Sequence, residues 1–325
     1  MSQTASNGIV PAGGASPRAG EPAPRPSSGW DRLPPSYAIP PRAPSLAEAR
    51  AYCERLARTH YENFSVATWF LPRRLKPHFH SVYAYCRISD DLGDEVGDPQ
   101  LSLALLDEWE AELDACYAGN PRHPVFVALR PTIEACDIPK EPFADLLRAF
   151  RQDQTVTRYA DFDHLLGYCR YSANPVGRLV LYVCGYRDAE RQELSDFTCT
   201  ALQLANFWQD VAVDWKKGRV YLPLDSRARF DVPESVIEAG VATPGFREMM
   251  KFEVARARVW FERGLPLAKM VDKELAIDIE LFTRGGQEIL DAIARQDYDV
   301  LRARPAISKA RKLWLVARAA GRKLL

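Results

Sequence analysis

The stretch Gln203-Leu204-Ala205-Asn206-Phe207-Trp208-Gln209-Asp210-Val211-Ala212-Val213-Asp214 decides the fold. Its polar residues Gln203, Asn206, Asp210 and Asp214 recur three and four apart, the interval that returns a side chain to one helical face. Leu204, Phe207, Trp208, Val211 and Val213 fill the intervening positions. A helix apolar around most of its circumference is packed on most sides, so its polar stripe must face a cavity or be paired. Carboxylate and amide oxygens suit Mg²⁺, which keeps waters and bridges to substrate phosphates. Directly afterwards, Lys216-Lys217-Gly218-Arg219-Val220-Tyr221-Leu222-Pro223 places cations and a phenol beside the stripe.

A second acidic stretch lies upstream, Tyr83-Ala84-Tyr85-Cys86-Arg87-Ile88-Ser89-Asp90-Asp91-Leu92-Gly93-Asp94-Glu95. At helical spacing Tyr83, Arg87, Asp90 or Asp91, and Asp94 share one stripe. Asp90, Asp91, Asp94 and Glu95 repel one another and crowd the helix end where the macrodipole disfavours negative charge. Alone, this motif is read as a solvated helix end running into a polar turn. Paired with the first stretch, it makes two carboxylate helices that would hold Mg²⁺ and clamp a diphosphate between them.

Outward from these motifs the chain reads as helix throughout. Leu103, Leu106, Trp109 and Leu113, and Phe143, Leu146, Leu147 and Phe150, repeat at three and four, and strand-like alternation is nearly absent. Proline, glycine and polar clusters delimit helices near 46–62, 74–95, 100–118, 124–136, 141–157, 162–185, 189–216, 244–270, 274–297 and 304–324. This predicts one all-α domain over 45–325 with no repeat of fixed period. Ten of the 24 prolines fall in the first 44 residues among Gly, Ala and Ser, so 1–44 is expected to be a disordered tail. Order is expected from Ser45, where Ser45-Leu46-Ala47-Glu48 has the pattern of a capping box.

Composition narrows the function classes. With 43 basic and 43 acidic residues there is no global field to attract nucleic acid or an anionic membrane. The seven cysteines lack CxxC or His-Cys spacing, which argues against a zinc site or a disulfide framework and for a reducing, cytoplasmic setting. No stretch reaches the roughly 20 apolar residues that span a bilayer, and the N-terminus lacks signal-peptide order. No glycine-rich nucleotide fingerprint follows a strand, so no NADPH is expected.

On the paired motifs, with Tyr85-Cys86-Arg87 before the first and Gly218-Arg219-Val220-Tyr221-Leu222-Pro223 after the second, the sequence resembles the squalene and phytoene synthases over roughly 46–300. The resemblance implies the all-α isoprenoid synthase fold, a bundle around a deep apolar cavity, and Mg²⁺, or Mn²⁺ in its place. Asp90, Asp94 and Glu95, with Asp91 among them, match the first metal motif; Asn206, Asp210 and Asp214 match the second. It also implies substrate contacts at Tyr83, Arg87, Gln203, Lys217, Arg219 and Tyr221, and a proton relay at Tyr168, for which a plain core tyrosine is the competing reading.

Departures from the family pattern point within it. Tyr61-Glu62-Asn63-Phe64-Ser65-Val66 carries Glu62 where a basic residue usually seats a diphosphate. Asn63 and Phe64 are expected at the substrate, and Glu62 or Asn63 could orient a water or be structural. The Val-Ala-Gly turn becomes Ser172-Ala173-Asn174, followed by Pro175, which should kink the helix. Gln209 stands where many relatives have Arg. These features resemble the bacterial hydroxysqualene synthases of the hopanoid route, which convert presqualene diphosphate and water to hydroxysqualene and diphosphate. A condensing presqualene diphosphate or phytoene synthase, and a noncatalytic helical scaffold, are the alternatives. The implied partners are a prenyl diphosphate and neighbouring squalene-pathway enzymes. The last helix, with Lys309, Arg311, Lys312, Arg318, Arg322 and Lys323 among Leu313, Trp314 and Leu315, reads either as packed on the core or as a peripheral contact at the inner membrane face.

Overall fold

A computed structural model describes residues 29–59 and 72–324. Thirteen α-helices are seen among them: α1 Leu46–Thr59, α2 Lys76–Asp94, α3 Pro99–Ala118, α4 Pro124–Cys136, α5 Glu141–Gln152, α6 Phe162–Ser172, α7 Asn174–Val183, α8 Ala189–Lys216, α9 Leu224–Arg229, α10 Glu234–Ala239, α11 Pro244–Gly264, α12 Lys273–Arg295 and α13 Lys309–Leu324. No strand occurs among the described residues; Arg158 and Val220 make one isolated parallel bridge. The all-α expectation holds, and Glu62, Asn63 and Phe64 lie outside the described residues.

Local chemistry explains most helix ends. The capping box forms as expected: the Ser45 N–H donates to Glu48 Oε2 at 2.8 Å and the Glu48 N–H to Ser45 Oγ at 3.3 Å. The helix expected over 162–185 is broken at Ala173 into α6 and α7, because Pro175 supplies no N–H to the preceding turn. The helix expected from 304 begins instead at Lys309, as Pro305 keeps the preceding segment out of it. α11 stops at Gly264 and passes into a 3₁₀ turn, Leu265–Lys269, that contains Pro266.

The N-terminal expectation needs correction. Described residues of the stretch read as a disordered tail form two 3₁₀ turns, Trp30–Arg32 and Pro35–Tyr37. Leu33 and Tyr37 are buried there, and the Arg32 guanidinium donates to the Val96 carbonyl at 3.1 Å. Proline richness signalled low intrinsic order, but two apolar anchors, this bond and one from the Tyr37 hydroxyl to Asp91 hold the segment against the C-terminal end of α2.

Two large buried clusters make the core. One gathers Tyr85, Ile88, Trp109, Phe126 and Phe143 from α2 to α5. The other gathers Trp208, Phe246, Met250 and Phe261 around α8 and α11. α7 approaches α8 closely at Gly177, where an added Cβ would meet Ser195 Oγ at 2.3 Å and Cys199 Sγ at 2.5 Å. That approach borders an apolar cavity of about 270 Å³ lined by Val176, Val180, Leu202 and Phe282.

Candidate active site

Asp90 and Asp94 sit on the last turn of α2 and Asp214 on the last turn of α8, where unpaired carbonyls already concentrate negative potential. Residues from the two motifs line one cleft of about 340 Å³: Asp90 and Asp94 from α2, and Gln203, Asn206 and Asp214 from α8, with Arg87, Lys217, Arg219 and Tyr221. Val176 lines both this cleft and the apolar cavity, so a charged mouth adjoins a greasy interior. A larger surface groove of about 690 Å³ beside α12 contains no residue of either acidic motif and shares only Ile279 with the apolar cavity.

The turn after α8 aims the cations. Gly218 has φ +76°, a left-handed conformation natural to glycine at a helix end, and the Arg219 N–H donates back to the Asp214 carbonyl at 2.9 Å. The Val220 N–H then donates to the Thr157 carbonyl at 2.9 Å, fixing the strip that follows. Lys217 Nζ and Arg219 Nη1 consequently reach Asp94 on the opposite helix at 3.0 and 2.8 Å. Burial pushes the Asp94 carboxyl upward, but these two cations outweigh it and hold the group below the usual range.

Asp90 and Asp214 differ from it. Burial, then the neighbouring Asp94, raises Asp90 to about 6. Solvent reaches Asp90 at the mouth of the cleft, yet protein surrounds it closely enough to weaken its hydration. Burial, then Asp210, raises Asp214 to about 7. Asp210 is itself engaged: Asn206 Nδ2 donates to it at 2.9 Å and Arg304 grips both its oxygens.

Other expected residues are placed elsewhere. Asp91 is buried and turned from the cleft, its Oδ2 accepting from Tyr37 Oη at 2.7 Å and from Arg87 Nε at 3.0 Å. The expectation of Asp91 as a metal ligand is therefore corrected: adjacent helical positions point about 100° apart, and Asp90 takes the cleft side. Glu95 is an exposed residue at the C-cap of α2 and does not line the cleft. Tyr83 is half-buried one turn before Arg87 and is likewise not among the lining residues.

Tyr168 does reach the cleft, in an aromatic wall. Phe207 and Tyr221 stack with centroids 3.9 Å apart, and Tyr168 packs 6.1 and 5.8 Å from them. The Tyr168 hydroxyl donates to Asp153 Oδ2 at 2.7 Å. Asp153 escaped the sequence reading because Gln152-Asp153-Gln154 has no motif around it. Burial raises its carboxyl to about 7, against the pull of Arg219.

Arg304 also escaped that reading. It arrives from the segment expected to be helical, and Gln209 positions it by donating to the Pro305 carbonyl at 2.6 Å and accepting from Arg304 Nη2 at 3.1 Å. Arg304 thus brings a guanidinium to Asp210 from a distant part of the chain.

The donor set fits a hard divalent cation. It consists of carboxylate and amide oxygens, and Asp90 and Asp214 are each raised by burial and then by a crowding carboxylate, whose repulsion a cation would relieve. No group of three or more His, Cys, Asp or Glu among the described residues is close enough to hold a metal.

Comparison with known proteins places this geometry among relatives. A family model described as squalene/phytoene synthase matches residues 57–311. The 15-cis-phytoene synthase of Synechococcus elongatus is 30% identical over 281 residues, 83% of this chain and 91% of that protein. The crystal structure of squalene synthase HpnC from Alicyclobacillus acidocaldarius is similar with a TM-score of 0.75 at 45% identity, covering 83% of this chain and 98% of that one. A ligand-bound dehydrosqualene synthase, at 24% identity, TM-score 0.77 and coverage of 85% and 96%, shares the fold.

Proposed function

The chain belongs to the squalene/phytoene synthase family, and on that premise we propose that it is a hydroxysqualene synthase, converting presqualene diphosphate and water to hydroxysqualene and diphosphate. The observation that carries this reading is the 45% identity to a squalene synthase HpnC over nearly all of that protein, against 30% to a phytoene synthase. The departures at Glu62, Ser172, Asn174 and Pro175 support the same branch.

The chain's own groups account for the steps. Arg87, Lys217 and Arg219 line the cleft and would bind the diphosphate through charge-assisted hydrogen bonds. Asp90, Asp94, Asn206, Asp210 and Asp214 would hold Mg²⁺, which when bound would supply neutralisation of the leaving diphosphate. Because Asp94 is paired with Lys217 and Arg219, those cations would pass to diphosphate oxygens as substrate enters, while Arg304 stays on Asp210. The carbon–oxygen bond breaks with its electron pair leaving on the diphosphate. The cyclopropylcarbinyl cation is then received by the faces of Phe207, Tyr221 and Tyr168, whose quadrupoles favour positive charge. Apolar neighbours at Leu146, Phe150 and Val176 limit the access of bulk water until rearrangement is complete.

The test is product identification by mass spectrometry after incubation with Mg²⁺ and either presqualene diphosphate or farnesyl diphosphate, without NADPH. Hydroxysqualene from presqualene diphosphate alone supports the reading. A condensed C30 product from farnesyl diphosphate alone moves the protein to the condensing branch.

Peripheral membrane contact belongs to the same proposal. No helix among the described residues is long and apolar enough to cross a membrane. On α13, Leu313 and Trp314 are 70% and 43% exposed while Leu315 is buried, so the helix is packed on one side and offers apolar groups on another. Deleting residues 307–325 should abolish co-sedimentation with anionic liposomes; unchanged binding would remove the membrane role.

A further inference from the structure

The cleft holds two buried polar atoms with no hydrogen-bond partner among the described residues. Asp153 is 8% exposed; its Oδ2 accepts the Tyr168 hydroxyl, but its Oδ1 is buried without a hydrogen-bond partner. Ser172 Oγ is also buried without a partner. Both residues line the cleft together with Tyr168, Leu146, Phe150 and Val176. Ser172 lies one helical turn beyond Tyr168, on the same face of α6, and is the last residue before the break that Pro175 imposes. A helical serine commonly returns its hydroxyl to the carbonyl four residues back, and Ser172 makes no such bond.

Buried polar atoms are nearly always satisfied, and a small polar site deprived of protein partners is where an ordered water resides. A carboxylate oxygen accepts from such a water, and a serine hydroxyl either donates to it or accepts from it. Arg87, Lys217 and Arg219 are engaged with Asp91 and Asp94 of the first motif. Asp153 and Ser172 lie instead beside the aromatic wall that receives the cation.

We propose that Asp153 Oδ1 and Ser172 Oγ hold the water that captures the rearranged cation. This assignment rests on the function proposed above. In the step, a lone pair of the water oxygen forms the new carbon–oxygen bond, an O–H bond of that water breaks, and its proton passes to Asp153 Oδ1. The electron pair of the original carbon–oxygen bond has already left on the diphosphate, so the sum is alcohol, diphosphate and one proton. Ser172 is a positioning residue that fixes the water oxygen; Asp153 is the proton acceptor, kept in place by Tyr168.

The experiment separates ionisation from capture. Wild type, Ser172→Ala, Ser172→Thr and Asp153→Asn are incubated with presqualene diphosphate and Mg²⁺, and released diphosphate and alcohol are counted separately. In Ser172→Ala and Asp153→Asn the ratio of alcohol to diphosphate should fall about tenfold or more, the scale of a lost proton-transfer group, with products of proton loss taking its place. Ser172→Thr, which keeps the hydroxyl, should retain the wild-type ratio. A merely structural role would slow both readouts together and leave the ratio unchanged; an unchanged ratio in both variants overturns the assignment while leaving the function intact. A Ser172→Ala enzyme that releases no diphosphate also overturns it, since ionisation does not require the water. Wild type that makes no alcohol overturns the function, and the assignment with it.

Discussion

The two acidic motifs solve the same electrostatic problem with different partners. On α2, Asp94 is neutralised by Lys217 and Arg219 from the turn after α8, while Asp90 is left with a carboxyl raised to about 6. On α8, Asp210 is neutralised by Arg304 from the segment before α13, while Asp214 is left raised to about 7. Each motif therefore presents one carboxylate already compensated by the protein and one awaiting a cation. The difference lies in reach: the first pair of cations ties the two motif helices together, whereas Arg304 ties the second motif to the C-terminal region.

The largest expected effect comes from the uncompensated members. Asp90→Asn and Asp214→Asn should each lower turnover about 10²–10³-fold, the scale of losing a preorganised electrostatic contact. Turnover within threefold of wild type in either would break the equivalence of the motifs. Asp91→Asn should behave differently although it neighbours Asp90. It breaks a buried pair with Arg87 and a bond from Tyr37, so denaturant unfolding should show a loss of about 3 kcal/mol. Wild-type stability would show that Asp91 is not the anchor described.

Arg304→Ala sharpens the contrast between the motifs. As a group that orients a ligating carboxylate, it should cost about 10–100-fold in Mg²⁺-dependent turnover, and an effect below twofold would make it a bystander. The smallest effect concerns pH. Asp90 and Asp214 are raised above the usual carboxyl range, so the metal-free folded state binds more protons than the unfolded chain between about pH 4 and 7. Stability without metal should accordingly fall as pH rises through 6 to 7. Protons and Mg²⁺ compete for the same oxygens, so the thermal upshift given by Mg²⁺ should be larger at pH 8 than at pH 5.5. A pH-independent upshift would contradict the raised carboxyls.

Much of this was legible in the chain. Of the polar residues at helical spacing within Gln203–Asp214, Gln203, Asn206 and Asp214 line the cleft while Asp210 pairs with Arg304 beside it, and Pro175 announced the break between α6 and α7. The stripe on α2 left open whether Asp90 or Asp91 faced inward; only packing against Tyr37 resolves that, and Tyr37 sits in a stretch whose prolines suggested disorder. Asp153 and Arg304 were missed for a related reason. Periodicity reports which residues share a face of one helix, whereas these two matter through partners on other elements: Tyr168 for Asp153, Gln209 and Asp210 for Arg304. Nothing local to either residue encodes those contacts.

The central claim is that the two motifs act as one ionising clamp, and a double-substitution cycle tests it most directly. Diphosphate release from presqualene diphosphate would be measured for Asp90→Asn, Asp214→Asn and the combined variant at saturating Mg²⁺. Groups acting as a unit are strongly non-additive, so the double variant should be about as slow as the slower single one. Losses that multiply would show two independent sites and contradict the account.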